Sequence, residues 1–304
     1  MRIVVTGGAG FLGSYVAGFV ANAGHDVAVL DRVPPRFNEV PHLPGDLLSL
    51  ESVESALEGA DAVFHLGAVG DVYLAMSEPY TAAQVNVVGT ANVLEAALRQ
   101  NVKKVVYAST WEVYGHPDSQ PVDEQHPARP DHPYNVTKLA GEQLVLSYDA
   151  LKGLPGVALR LGTAYGPNMR PNSVFSLFVN NALAGKPITI KGTGQQARQF
   201  THTSDIARGF LLAGESDIHG EAFNLVAPES VSIRQLAEMV AARIPTRIVF
   251  EEARQGDIFP SIISSDRARV RLGWEARKSF AEGLSELIDH VQAKAGVGDA
   301  VRSR

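Results

Sequence analysis

Residues 1–13 read MRIVVTGGAGFLG, and what this stretch becomes decides the fold. The β-branched run Ile3 to Val5 predicts a buried strand that breaks at Gly7, Gly8 and Gly10. Gly13 then lies one turn into an apolar helix expected to reach about Ala23. Strand, glycine turn, helix is an order that suits a pyrophosphate. Bare backbone approaches it closely, and the free N–H groups of the helix start take its charge. The G-x-x-G-x-x-G spacing alone is equally satisfied by a plain tight turn. Its position directly behind a strand favours a dinucleotide site.

A chain of 304 residues, 45% hydrophobic, is long enough for one large or two fused α/β domains. A net charge of -6 without a basic block argues against nucleic acid or an anionic membrane as the main partner. Cysteine is absent, which excludes disulfides, thiolate nucleophiles and Cys-ligated metals. The nine histidines have no metal-ligand spacing and the acid-rich loop from Asp118 to Glu124 has no metal-loop pattern, so no metal is expected. No G-x-S-x-G elbow of a serine hydrolase is present. No leader is expected ahead of the first strand, and no apolar run is long enough to span a bilayer. A cytoplasmic location is therefore expected.

The second strand, His25 to Asp31, ends in an acid eighteen residues past Gly13. From there a carboxylate reaches adenosine ribose hydroxyls and favours NAD over its 2′-phosphorylated form, a preference moderated by Arg32 and Arg36. A free surface aspartate is the plain alternative. A Pro-rich loop with at most a short strand covers 33–44, a helix 50–57, and a buried strand 60–68 in which His65 is packed or faces the cofactor. A loop is expected over 69–80, then a long helix to Arg99, a strand from Lys103 to Thr110, a surface loop over 115–133, and a helix from Tyr134. The strand Val157 to Thr163 completes an alternation that predicts a doubly wound parallel α/β sheet. From Ala164 the rhythm changes. Helices are expected near 174–184, 206–213, 232–242, 265–272 and 280–293, with short strands at 188–190, 222–225 and 247–250 and a frayed C-terminal end. The domain reading is a Rossmann-type unit over 1–163, with about 198–225 folding back onto it, and a smaller α/β unit from 164–197 and 226–304.

Tyr134 and Lys138 share one helix face. A lysine one turn from a tyrosine stabilises phenolate, as a bound oxidised nicotinamide also would, and a hydroxyl from Thr110 or Ser109 can share the substrate proton. A surface lysine beside a half-buried tyrosine gives the same spacing without chemistry.

Six blocks together, TGGAGFLG, HLGA (65–68), NVVGTANVLEA (86–96), STWEVYG (109–115), YNVTKLAGE (134–142) and RLGTAYGP (160–167), resemble the extended short-chain dehydrogenase/reductase family of nucleotide-sugar epimerases, dehydratases and decarboxylases. GTGQQARQF (192–200), Gly256-Asp257 and LGWEARKSFAEGL (272–284) extend the resemblance almost to the C-terminus. It implies an NAD site in which Gly7, Gly10, Phe11, Leu12 and Gly13 surround the pyrophosphate and Asp31 holds the adenosine ribose. Asp46 and Leu47 would meet the adenine, Leu66, Ala68 and Ser109 would lie along the cofactor, and Lys138 would hold the nicotinamide ribose. Tyr134 would be the base and Thr110 its partner. Arg198 and Arg254 would pair with a sugar-nucleotide diphosphate, unless either is an ordinary surface ion-pair partner. Trp111, Thr163, Asn172 and the Lys186–Ile190 stretch would face the substrate. A homodimer through the helices near 78–99 and 134–152 is also implied.

The implied chemistry is oxidation at sugar C4, with hydride passing to bound NAD, to give a 4-keto sugar. Epimerases then reduce its other face; dehydratases and decarboxylases act at C5. Glu112 stands where dehydratases and decarboxylases carry a glutamate, but Trp111 replaces their usual acid, and an indole cannot protonate a departing hydroxyl. YGPNMRPN resembles the corresponding segment of 4-epimerases, including those acting on UDP-glucuronate. Thr163 replaces a frequent asparagine. Glu112 is alternatively an ordered carboxylate near Arg160 or Tyr114. The expectation is a 4-epimerase of a UDP-linked sugar, with dehydratase or decarboxylase as alternatives. From other classes come a silent NAD(H)-binding scaffold or sensor and a reductase using free NADPH.

Overall fold

The computed structural model describes residues 1–35, 39–252 and 262–302, with 295–302 as backbone only. The opening reads as expected. β1 (Arg2–Thr6) runs into the glycines, followed by α1 (Phe11–Asn22), β2 (Asp26–Asp31) and β3 (His42–Pro44). Next come α2 (Leu50–Ala56), begun by the Ser49 side chain capping Ser52 N–H, and β4 (Ala62–His65).

The segment 69–80, expected as loop, instead holds α3 (Val72–Ser77), capped by Asp71, and the start of α4 (Pro79–Ala83). α4 continues through a π turn (Gln84–Val88) into α5 (Gly89–Arg99). β5 (Lys104–Thr110) leads to a 3-10 turn (Trp111–Tyr114) and α6 (Pro133–Lys152), whose C-terminus is closed by left-handed Gly153. β6 (Gly156–Leu161) stops short of the expected end. At Gly162 an added Cβ would lie 2.4 Å from Thr201 Oγ1, and the chain crosses there into β7 (Thr163–Tyr165) of a second sheet.

After α7 (Val174–Leu183) and β8 (Ile188–Lys191) comes β9 (Ala197–His202), a strand that was not expected ahead of the helix near 206–213. The remaining elements are α8 (Thr203–Glu215), β10 (Glu221–Leu225), β11 (Ser230–Ser232), α9 (Ile233–Arg243), β12 (Ile248–Glu251), α10 (Asp266–Leu272) and α11 (Phe280–Arg302). The frayed end expected for the last dozen residues falls mostly on side chains outside the described set.

The seven-stranded sheet is parallel, in the order β10-β6-β5-β4-β1-β2-β3. The order reverses between β1 and β4, and ligands of such sheets sit at the carboxyl ends of the strands flanking that switch. Alternate residues of each strand feed opposite faces. Ile3, Val5, Val29 and Phe64 pack beneath α1 and α8, while Val4, Leu30, Val63 and Val105 pack with α2 and α5. β11-β9-β7 and β12-β8 form two smaller sheets around a third core. Its centre is aromatic, with Phe200 4.9 Å from Phe175 and 5.5 Å from Phe280 between ring centroids. No described helix is long and apolar enough to cross a membrane.

Trp274 ties the C-terminal segment to the sheet. Its buried indole donates from Nε1 to Asp205 O at 2.8 Å, and the Asp205 carboxylate accepts from the Arg277 and Lys278 N–H groups at 3.0 Å each. Trp274→Ala is expected to cost about 3–5 kcal/mol of unfolding free energy in urea denaturation. A loss below about 1 kcal/mol would show that the indole does not anchor this segment.

Candidate functional site

The glycine turn is built by backbone contact. Gly7 adopts φ +69, and a Cβ there would lie 2.6 Å from Gly67 Cα. A Cβ on Gly13 would lie 2.2 Å from Gly7 O. Both glycines are therefore required by the protein itself, because they let the ends of β1 and β4 and the start of α1 touch. Gly10 differs. A Cβ there meets only Gly7 O, at 3.1 Å, and otherwise open space, at a helix start with no side-chain cap. That is an open cradle with free N–H groups, and it fits a pyrophosphate.

Asp31 ends β2 beside this turn, its carboxylate accepting from Ala9 N–H at 3.1 Å. Phe11 and Leu12 open α1, half-buried; Phe11 lies edge-on to Tyr15, whose hydroxyl donates to Pro167 O. Asp46 accepts from Leu48 N–H, and the Leu47 carbonyl accepts from Asn92 Nδ2. Leu66 N–H donates to Thr6 O, and Ala68 stands half-buried two residues beyond. His65 is packed, between the Thr6 hydroxyl at 2.6 Å and the Thr90 hydroxyl at 3.0 Å, and burial brings its pKa down to about 3.

At the carboxyl end of β5 the Thr110 hydroxyl acts on the Tyr134 phenol, lowering its pKa, and accepts from Glu112 N–H at 3.2 Å. The Ser109 hydroxyl is engaged elsewhere, donating to Glu142 Oε2 at 2.6 Å. Burial and the Glu112 charge push the Tyr134 phenol up, opposed by Arg170 and Thr110. One turn on, Lys138 is buried with its Nζ 4.3 Å above the Tyr107 ring, and burial brings its pKa down to about 7 against the pull of Glu142.

Glu112 does not sit with Arg160, as one reading allowed. Arg160 bonds Glu142 through Nε and Nη2 and the Tyr114 hydroxyl through Nη1. Tertiary pairing has claimed that guanidinium. Instead Glu112 feels burial and Asp131, which raise its pKa, and Arg198, which lowers it. Trp111 and Arg198 line one small cavity together with Gln199, Val226 and Ile263. Thr163 is half-buried on β7, opposite Phe200, and Asn172 is exposed before α7. Arg254 and Gly256-Asp257 lie outside the described residues.

Three further groups belong to this region. Asn86, in the π turn, accepts from Val69 N–H at 2.7 Å and donates to the Thr137 hydroxyl at 3.0 Å, joining the loop after β4 to α6. A π turn between two apolar helices gives no periodicity signal of its own. Arg170 bonds Asp71 and acts on Tyr134. Glu142 holds the buried cluster under α6; a glutamate and an arginine on separate elements become readable as partners only in the fold. Among the described residues no group of three or more His, Cys, Asp or Glu could hold a metal.

A glycine turn at the switch point of a parallel sheet, with a Thr/Tyr/Lys group one strand away, defines a dinucleotide-binding α/β enzyme. Residues 3–225 match the NAD dependent epimerase/dehydratase family, and the chain belongs to that family. It is 32% identical to a UDP-glucose 4-epimerase of Mycolicibacterium smegmatis over 97% of this chain and 100% of that protein. It is 30% identical to a dTDP-glucose 4,6-dehydratase of Streptomyces niveus, over 95% and 92%. The structure of MoeE5 in complex with UDP-glucose and NAD superposes with a TM-score of 0.90 at 33% identity, over 97% and 100% of the two chains. MoeE5 is also known in complex with UDP-glucuronic acid and NAD. The cofactor of the family is NAD, which the glycine turn and Asp31 fit.

Gly10→Ala adds a methyl to the cradle whose one close contact is the Gly7 carbonyl at 3.1 Å, which a shift of a few tenths of an ångström relieves. It is expected to weaken NADH binding, followed by fluorescence titration, by on the order of tenfold while thermal unfolding stays near wild type. Unchanged affinity would show that the cradle does not approach the cofactor.

Proposed function

We propose that the chain is an NAD-dependent nucleotide-sugar 4-epimerase acting through a transient 4-keto sugar. The observation that carries this reading is that Tyr134 and buried Lys138 stand one turn apart on α6, with Thr110 at the carboxyl end of β5 acting on the Tyr134 phenol. Gly7, Gly10, Phe11, Leu12 and Gly13 receive the cofactor pyrophosphate, Asp31 its adenosine ribose, Asp46 and Leu47 its adenine, and Lys138 the nicotinamide ribose. Leu66, Ala68 and the backbone of Ser109 lie along it. NAD, when bound, supplies the acceptor and the donor for the hydrogen at C4.

Tyr134, as phenolate, takes the proton of the C4 hydroxyl, and Thr110 shares that hydrogen bond and orients the alcohol. Lys138 holds positive charge near the phenolate, which offsets what burial costs it. The same phenol returns the proton when C4 is rebuilt with the opposite hand. Arg198, with Arg254, takes the diphosphate through planar guanidinium forks. Trp111, Thr163, Asn172 and the 186–190 stretch face the sugar and nucleotide. UDP-linked substrates are supported by the relatives and neighbours described with UDP-glucose and UDP-glucuronic acid. A homodimer through the helices near 78–99 and 134–152 is supported by Tyr80, Val88 and Val136, large apolar residues left exposed there. A cytoplasmic location belongs to the same reading.

One observation favours chemistry at C5 as a second reading: Glu112 is half-buried and its charge acts on Tyr134. Incubation with UDP-, GDP-, CDP- and dTDP-sugars, including UDP-glucuronate, separates the two. Unchanged mass with an inverted C4 signal by NMR is the expected outcome. Loss of water or of carbon dioxide would move the assignment to dehydratase or decarboxylase, and NAD binding with no sugar turned over would leave a scaffold. Tyr134→Phe is expected to cut cofactor reduction by the substrate by at least about 10²-fold; turnover at the wild-type rate would remove the base assignment.

A further inference from the structure

The stretch YGPNMRPN (165–172) is held at successive points by separate elements. The Pro167 carbonyl accepts from the Tyr15 hydroxyl of α1 at 2.9 Å. Asn168 stands in the left-handed region, φ 63, and its Oδ1 accepts from His290 Nε2 at 2.8 Å and from Lys294 Nζ, both on α11. With the backbone fixed there, Arg170 is presented to Asp71, and its Nη1 donates to Asp71 Oδ2. Just beyond, Ser173 N–H donates to Arg170 O at 3.1 Å and the Ser173 hydroxyl caps α7.

Asp71 is fixed as well. Its Oδ1 caps α3, accepting from Tyr73 N–H at 2.9 Å and Leu74 N–H at 3.1 Å, which leaves Oδ2 for Arg170. The loop that carries it is tied to α6 through Asn86. The topology then says what the ion pair spans. β5 lies between β4 and β6 in the sheet. Asp71 belongs to the chain leaving the carboxyl end of β4, and Arg170 to the chain that leaves β6 through Gly162 and β7. A bond between them crosses the carboxyl end of β5, where Thr110 closes the strand and Tyr134 opens α6. The Arg170 charge also reaches the Tyr134 phenol.

We propose that the Asp71–Arg170 ion pair is a latch across the carboxyl end of β5, which retains what is bound there and opens to release it. The proposal rests on the placement of the nicotinamide ribose at Lys138 and adds the contact that closes over it. The two side chains are 55% and 27% exposed, and a pair so exposed is weak, which suits a contact that opens and closes. Opening it leaves each side its own support, the Asp71 cap on α3 and the Ser173 cap on α7.

The test follows release of NADH, chased by excess NAD, through its fluorescence in a stopped-flow instrument. Asp71→Asn removes the charge and keeps the α3 cap, and Arg170→Met removes the other partner. Each is expected to speed release about fivefold, and the double variant no further, because either change alone opens the latch. A wild-type rate in either single variant overturns the proposal, as does a double variant whose gain is the product of the two. Slower release from Asp71→Asn overturns it too, being the result for an Arg170 that binds the cofactor directly and is freed to do so. Lys138→Met keeps the two readings apart. Faster release there, with wild-type rates in the latch variants, rejects the latch alone; wild-type rates in all of them reject the placement of the nicotinamide as well.

Discussion

Backbone contact at the switch point of the sheet governs the rest of the molecule. Gly7 lies against Gly67, and the Gly7 carbonyl lies under Gly13, so β1, β4 and α1 converge at a spacing that excludes even a methyl group. The Thr6 hydroxyl reinforces this convergence by accepting from Gly67 N–H at 3.1 Å and pairing with His65. Two consequences follow. The uncapped start of α1 is left facing outward at Gly10, and the loop after β4 is drawn close enough for Asn86 to join it to α6. The cofactor cradle and the helix that carries Tyr134 are thus parts of one packed unit.

Charge around α6 follows from the same compactness. Its buried face presents Lys138 and Glu142 at successive turns, with Tyr134 a turn earlier, and burial acts against the charged forms of Lys138 and Tyr134. Glu142 is held by the Arg160 guanidinium. Lys138 lies against the Tyr107 ring, and burial leaves a visible mark on it. The Tyr134 phenol is pushed up by burial and the Glu112 charge, against Arg170 and the Thr110 hydroxyl. Arg170, fixed by Asp71, acts from the segment after β7.

Much of this was legible in the residues themselves. Parallel strands buried on both faces appear as β-branched runs, which is why β1, β2, β4, β5 and β6 stood out. β9 did not, because it carries Arg198, Gln199, Thr201 and His202. Gln199 is buried only because its amide meets Ala227 O and its carbonyl meets Ile263 N–H, partners distant in the chain. α3 is too short for a periodic signal and is held by the Asp71 cap. The strand end at Thr110 and the helix start at Tyr134 were readable from the residues, whereas the environment of Glu112 depended on which carboxylate Arg160 would choose.

That choice bears on the chemistry. With Arg160 engaged by Glu142, the cation that acts on Glu112 is Arg198, while burial and Asp131 favour its neutral form. Trp111 beside it has no acid to offer a leaving hydroxyl. In the proposed reading Arg198 takes the substrate diphosphate, and the same guanidinium is the cation that acts on Glu112, so a ligand at Arg198 is felt at Glu112 through charge alone.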